Sequence, residues 1–299
     1  MKTFLTSVKR NITLFFKDKG LFFTSLITPL ILLVLYITFL SNVFRDSFNQ
    51  IFSAVGESVS ESLVDALVGG QLMSSLLAVS CITVSFCSNM LMVQDKVNGA
   101  YNDLMMSPLK RSTLALSYYV STLISTLIVC LFAFVACLIY IACVGWYLTF
   151  ADILFLLLDI FLLVMFGTAL SSIVNYFLSS QGQISAVGSI VSSCYGFICG
   201  AYMPLATFGA GLRKVVMFLP GTYGTSLIRN HSLNSTIDQM ANTLSPQSVT
   251  ALRDSIDCNI YFFENQVSVG AMYLVVGLST ILLIFAYVLI NKYCKKKNK

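Results

Sequence analysis

The apolar residues of this chain fall into runs of 20 or more, and this grouping restricts its possible folds more than any other feature. A helix needs about 20 predominantly apolar residues to cross hydrocarbon. Six stretches reach that length: about 21–41, 71–93, 114–143, 153–176, 184–205 and 268–290. Composition agrees, because only 10% of the 299 residues are charged and mean hydropathy is +0.84, whereas a soluble domain carries roughly 25% charge. The expected fold is an all-α integral membrane protein, with an N-terminal interfacial amphipathic helix over 1–20 and a single six-span transmembrane domain over 21–299. The first run follows a basic stretch but continues into SNVFRD with no small-x-small cleavage site, so it is expected to stay attached.

Lys and Arg in the loops set orientation. Six spans put thirteen of them on one side and five on the other, so both termini are expected in the cytoplasm, with the chain multi-pass in the cytoplasmic (plasma) membrane. Seven of the nine cysteines lie in the apolar runs or at their ends, none forms a CxxC pair, and Cys258 is the one in an outer loop. Neither an outer intrachain disulfide nor a metal site is expected from that distribution.

Residues 2–19 place Phe4, Val8, Ile12 and Phe15 at helical spacing among Lys2, Lys9, Arg10, Lys17 and Lys19. The pattern predicts a helix lying on the inner leaflet, either a functional elbow or a plain basic anchor. Between the second and third runs, VQDKVNGAYNDLMMSPLKRS (93–112) sets Val97, Tyr101, Leu104 and Met105 at i, i+4, i+7 and i+8, with Asp95, Lys96, Asn98 and Asp103 on other faces. A short cytoplasmic helix over 95–106 follows, ended by a Ser107–Pro108 start to the next helix. Such a helix serves either as a docking surface or as packing alone.

On the outer side, residues 42–70 and 206–267 read as long connections whose acids solvate outer helices such as 50–68. Within the second, YMPLATFGAGLRKVVMFLPGTYG is apolar but broken by Pro204, Gly209, Gly211, Pro220 and Gly221. Each piece is too short to cross, so 204–222 is expected to dip into the outer leaflet as a re-entrant hairpin, lining a gate or vestibule. Asp159 is the ionisable residue that stands out inside a run, either a functional acid or a hydrogen-bonded structural one. The fifth run carries a stripe of Ser and Gly, including GFICG (196–200), suited to a close helix contact or a subunit interface.

The sequence contains no GxxxxGK[ST], HExxH or GxSxG, and His231 is its single histidine, read as an ordinary loop residue. The chain is therefore not expected to bind nucleotide through a P-loop or to hold a catalytic or metal site of its own.

Three stretches together resemble a known family. They are KDKGLFFTSLITPLILLVLY (17–36), VQDKVNGAYNDLMMSPLKRSTLALSYY (93–119) and GAYMPLATFGAGLRKVVMFLPGTYGTSLIR (200–229). With six spans and a basic amphipathic start, they resemble an ATP-binding-cassette transporter permease of the type-2 exporter class, the middle stretch matching its loop at Asp95, Lys96, Gly99, Ser107, Pro108 and Arg111. The resemblance implies that 95–106 is a coupling helix seated in a groove of a cytoplasmic ATPase through Asp95, Lys96, Gly99, Tyr101, Asp103, Leu104 and Met105. It implies an outer gate at Pro204, Gly211, Leu219 and Pro220.

With no ATPase domain read in this sequence, the resemblance implies a membrane half that works with two copies of a separate ATPase, which would bind ATP and Mg, and with a second permease, itself or a paralogue. A substrate path along Phe23, Pro29, Phe86, Ser192 and Phe197 would suit a drug, lipid or hydrophobic peptide, although aromatic residues in spans also serve as plain packing. Besides these protein partners the chain meets the lipid bilayer, and no nucleic-acid partner is expected. The alternatives are an ion-coupled secondary transporter, which should carry several intramembrane carboxylates, and a scaffold or immunity protein.

Overall fold

The computed structural model of the protein describes residues 2–55, 59–106, 110–263 and 265–293; the Ser107–Pro108 turn lies outside the described residues. Among those described, five helical stretches are long and apolar enough to cross a membrane: Lys19–Gln50, Glu61–Val97, Arg111–Val144, Phe150–Phe177 and Val269–Tyr293. In chain order the helices are α1 (Lys2–Lys17), α2 (Lys19–Leu35), α3 (Ser41–Val55), α4 (Glu61–Ser88), α5 (Met90–Val97), α6 (Ala100–Met106) and α7 (Arg111–Val144). There follow α8 (Phe150–Phe177), α9 (Gln181–Ile198), α10 (Ala210–Val216), α11 (Pro220–Met240), α12 (Pro246–Ser255) and α13 (Val269–Tyr293). A π-helical turn at Tyr36–Leu40 joins α2 to α3. The all-α expectation needs one amendment, an antiparallel hairpin of β1 (Ile260–Phe262) and β2 (Asn265–Val267) ahead of α13.

Helix α4 is the centre of the bundle. Its sequence mixes Leu, Val and Ile with Ser, Gly and Ala all round, the pattern of a helix buried on every side, and it packs on α2, α3, α7, α8, α9 and α11. The continuous stretch Glu61–Val97 has 37 residues. At 1.5 Å per residue it is about 56 Å long, well beyond the ~30 Å of hydrocarbon. The helices therefore project past the membrane, and the outer helix expected over 50–68 is divided between the end of α3 and the start of α4.

Asn89 interrupts α4 and α5, and the break is satisfied internally. Its side-chain amide donates to the hydroxyls of Ser171 and Ser172 at 3.0 Å each, while Asn175 donates to its backbone carbonyl at 3.1 Å. These bonds tie the bend to α8, where no water could serve the same groups. Helix α8 starts with a capping box at Thr149 and Asp152. The Asp152 carboxylate also accepts from Ser235 of α11, so this acid is a buried cap and bridge and does not solvate a loop.

Helix α9 stops at Ile198, short of the expected 205. Gly200 takes φ +73°, Ala201 N–H bonds the Gly196 carbonyl at 2.9 Å and Gly200 N–H bonds that of Phe197 at 3.2 Å, a Schellman stop. The GFICG pair is thus a helix terminator and not a helix–helix contact. Gly196 leaves room for the returning Tyr202 ring, which a Cβ there would meet at 2.2 Å.

The 206–267 connection also differs from its expectation. Pro220 occupies the first turn of α11, so 220–222 begin a 21-residue helix, and the broken segment ends at Leu219. This helix is polar in sequence yet almost wholly buried against α4, α8 and α13.

Replacing Gly200 with Ala should lower stability by about 1–2 kcal/mol, from left-handed backbone strain, added to a Cβ placed 2.9 Å from Leu205. Thermal unfolding of the detergent-purified chain measures this. An unchanged midpoint would remove Gly200 as the stop of α9.

Candidate functional site

At one end of the bundle, α1, α5, α6, the start of α7, the end of α8 and the end of α13 converge. Arg10 of α1 donates to both oxygens of Asp95, at 2.8 and 3.3 Å, and the Tyr118 hydroxyl donates to the same carboxylate at 2.5 Å. Asp95 is 6% exposed. Its hydrogen bond and charge raise the pKa of Arg10 above the ordinary guanidinium value, against the opposing effect of burial. The charge-assisted, forked pair fastens α1 to the segment that follows α4.

Lys96 points the other way. Its Nζ donates to the carbonyls of Asn175, Tyr176 and Leu178 at 2.9, 2.8 and 3.4 Å. These carbonyls end α8, where that of Asn175 also accepts the Leu178 N–H at 3.3 Å, and a cation there meets the negative end of the helix dipole. The ammonium lies 5.9 Å from the Tyr101 ring centre and 5.4 Å from that of Tyr176.

The helix expected over 95–106 is two helices. Gly99, at φ +81°, turns the chain between α5 and α6, a conformation a side chain would strain. Tyr101, Leu104 and Met105 then face inward and pack on Met92, Leu114, Tyr118 and Tyr176. Burial raises the Tyr101 hydroxyl pKa. Of the seven residues expected to dock, Asp103 is the exposed one, and Val97, Asn98, Asn102 and Met106 beside it are exposed as well. Periodicity identified an amphipathic helix but not that its apolar side is turned toward the bundle. Arg10 and Tyr118 carried no local signal, because their partner is 85 residues away in one case and 23 in the other.

The opposite end holds two polar clusters. Arg229 of α11, 1% exposed, contacts Asp257 at 3.2 Å and donates to the Gly200 carbonyl at 2.9 Å, while Asp257 accepts from the Leu205 N–H at 2.8 Å. Burial raises the Asp257 pKa, and Arg229 opposes that shift. Deeper in the bundle, Asp159 is also buried: His231 Nδ1 lies 2.6 Å from one of its oxygens, and Tyr273 donates to the other at 2.5 Å. Phe155 stacks on the His231 ring at 4.9 Å. His231 is therefore a helix residue joining α11 to α8, and the loop reading of it does not hold.

The expected gate residues are spread along one segment. Pro204 precedes a short 3-10 turn, Gly211 is exposed in α10, Leu219 is 38% exposed and Pro220 opens α11. Leu219 and Pro220 line an apolar cavity of about 420 Å³ with Tyr195, Phe166 and Leu283. Of the five residues of the expected substrate path, Pro29 and Phe86 are buried, Ser192 is half-buried, and Phe23 and Phe197 are 56% and 52% exposed.

Removing Arg10 leaves a buried carboxylate without its cation, and Arg10→Ala should cost on the order of 3 kcal/mol. The double variant Arg10→Ala, Asp95→Ala should lose clearly less than the sum of the two single losses, whereas Asp103→Ala should stay within about 0.5 kcal/mol of the parent. Unfolding in detergent reads all four, and strictly additive losses would sink the pairing. By the same argument Arg229→Ala should cost about 3–5 kcal/mol.

A family model described as ABC-2 type transporter matches residues 2–231. No curated protein and no solved structure matches the chain. The matched range runs from α1, through the Arg10–Asp95 and Lys96 ties, to His231 in α11, and on that extent the chain belongs to the ABC-2 type transporter family.

Proposed function

We propose that this permease is the membrane half of an ATP-driven exporter, moving a drug, lipid or hydrophobic peptide outward across the cytoplasmic membrane. In this reading α9, at 18 residues or about 27 Å, is the sixth crossing, short but close to the hydrocarbon thickness. Both termini are then cytoplasmic. Two copies of a separate ATPase bind ATP and Mg and dock on the exposed edge of α5 and α6.

The observation that carries the reading is the wiring of that edge. Asp95 and Lys96 bind α1, α7 and α8 together, while Asn98, Asn102, Asp103 and Met106 remain at the surface. A push delivered to α6 would therefore reach three helices at once through charge-assisted bonds. The second permease, a copy or a paralogue, covers α9, which exposes Ser185, Ser189 and Ser193 along one side. Small hydroxyl residues favour helix contact over lipid. Closure of the ATPases would move α2, α4 and α9 of each half and open a path beside the 204–219 segment.

Affinity purification of the tagged chain from its native membranes, with mass spectrometry for P-loop ATPases, tests this. An ATPase should accompany the parent and fall at least tenfold in an Asn102→Ala, Asp103→Ala, Met106→Ala variant of unchanged stability. A folded parent that recovers no ATPase would overturn the reading. One observation favours an ion-coupled carrier instead, the buried Asp159–His231–Tyr273 cluster. Transport abolished by a proton uncoupler and by Asp159→Asn, without need for ATP, would establish that alternative.

A further inference from the structure

The end of the bundle away from the Arg10–Asp95 tie carries a groove of about 410 Å³ between α10 and the β1–β2 hairpin, unused by the coupling argument above. Its walls are Phe208, Met217, Tyr261, Phe262 and Phe263, together with the cations Arg213 and Lys214. Helix α10 and the turn after it place apolar and cationic side chains together at the surface. Leu212, Val215 and Phe218 are 55%, 62% and 65% exposed, and Arg213 and Lys214 are exposed beside them. Phe218, Phe262 and Phe263 form an edge-to-face cluster with ring centres 4.9–6.4 Å apart, and Phe263 is itself 62% exposed.

Exposed aromatic rings beside cations, at the end of a membrane bundle, mark the depth where acyl chains meet headgroups. Among the described residues, the carboxylates near Arg213 are already engaged. Asp257 is held by Arg229 and the Leu205 N–H, and Asp254 accepts from Asn259 and Tyr261. The groove thus combines positive charge with an apolar rim, the complement of a phosphate esterified to apolar chains.

We propose that this groove binds the phosphate headgroup of an anionic phospholipid in the leaflet opposite α1, with Arg213 and Lys214 on the phosphate and the acyl chains against Phe218, Phe263 and Val215. The ligand is a membrane lipid and not a soluble phosphate, because Phe218 and Phe263 would otherwise expose their rings to water. The inference does not depend on the direction of transport or on the ATPase.

The full chain in nanodiscs of phosphatidylcholine with 20% phosphatidylglycerol, extracted and analysed by native mass spectrometry, tests it. The parent should retain phosphatidylglycerol at least fivefold over its share of the bilayer, and this enrichment should weaken as salt rises. Arg213→Gln with Lys214→Gln should reduce it to twofold or less, and Lys214→Gln alone should at least halve it. If the double variant fails to fold, the single variant decides. No enrichment in the parent, enrichment retained by the folded variants, or displacement by millimolar glycerol phosphate would each overturn the proposal.

Discussion

Hydrocarbon supplies no hydrogen-bond partners, so every polar group inside the bundle must be satisfied by the chain itself. That constraint explains why the buried residues Asn89, Asp95, Asp152, Asp159 and Arg229 are junctions between segments. Asn89 can break the helix that runs from Glu61 to Val97 because α8 answers with Ser171, Ser172 and Asn175. Asp152, Asp159 and Arg229 each join α11 to another segment in the same way. Apolar packing around α4 supplies the bulk of the burial, while these bonds select which helix ends meet.

Charge at the two ends is used differently. Near α1, a carboxylate and an ammonium from adjacent positions, Asp95 and Lys96, point to opposite neighbours and make the α5–α6 segment part of the bundle. At the far end, Arg229 and Asp257 hold the α9 terminus against α11, while Arg213 and Lys214 stay at the surface among aromatic rings. On the exporter reading, the first end is a rigid lever and the second is where the chain meets lipid. With Asp95 buried, the exposed residues of α6 on that lever are Asn102, Asp103 and Met106, and Lys110 and Arg111 are exposed at the start of α7.

Much of the membrane architecture is legible in sequence because span length is a one-dimensional property. The runs begun at 114, 153 and 268 correspond closely to α7, α8 and α13. The errors arose where a local signal had two physical uses. GFICG can bring two helices together or end one, and the choice was made by the positive φ of Gly200 and the space Gly196 leaves for Tyr202. A polar stretch of 21 residues starting at Pro220 resembled an outer connection, but α4, α8 and α13 surround it.

The sequence alone determined that this is a membrane protein, that its cations gather beside certain spans, and that an amphipathic segment follows the second run. These depend on composition and on the spacing of neighbouring residues. Tertiary structure decided which face of that segment is open, that Asp95 belongs to Arg10 and Tyr118, and that His231 is a partner of Asp159. Each of those pairings joins residues far apart in the chain, and periodicity carries no information about them. What selects them is the cost of leaving a buried charge or donor without a partner, and that cost exists only once the helices have packed.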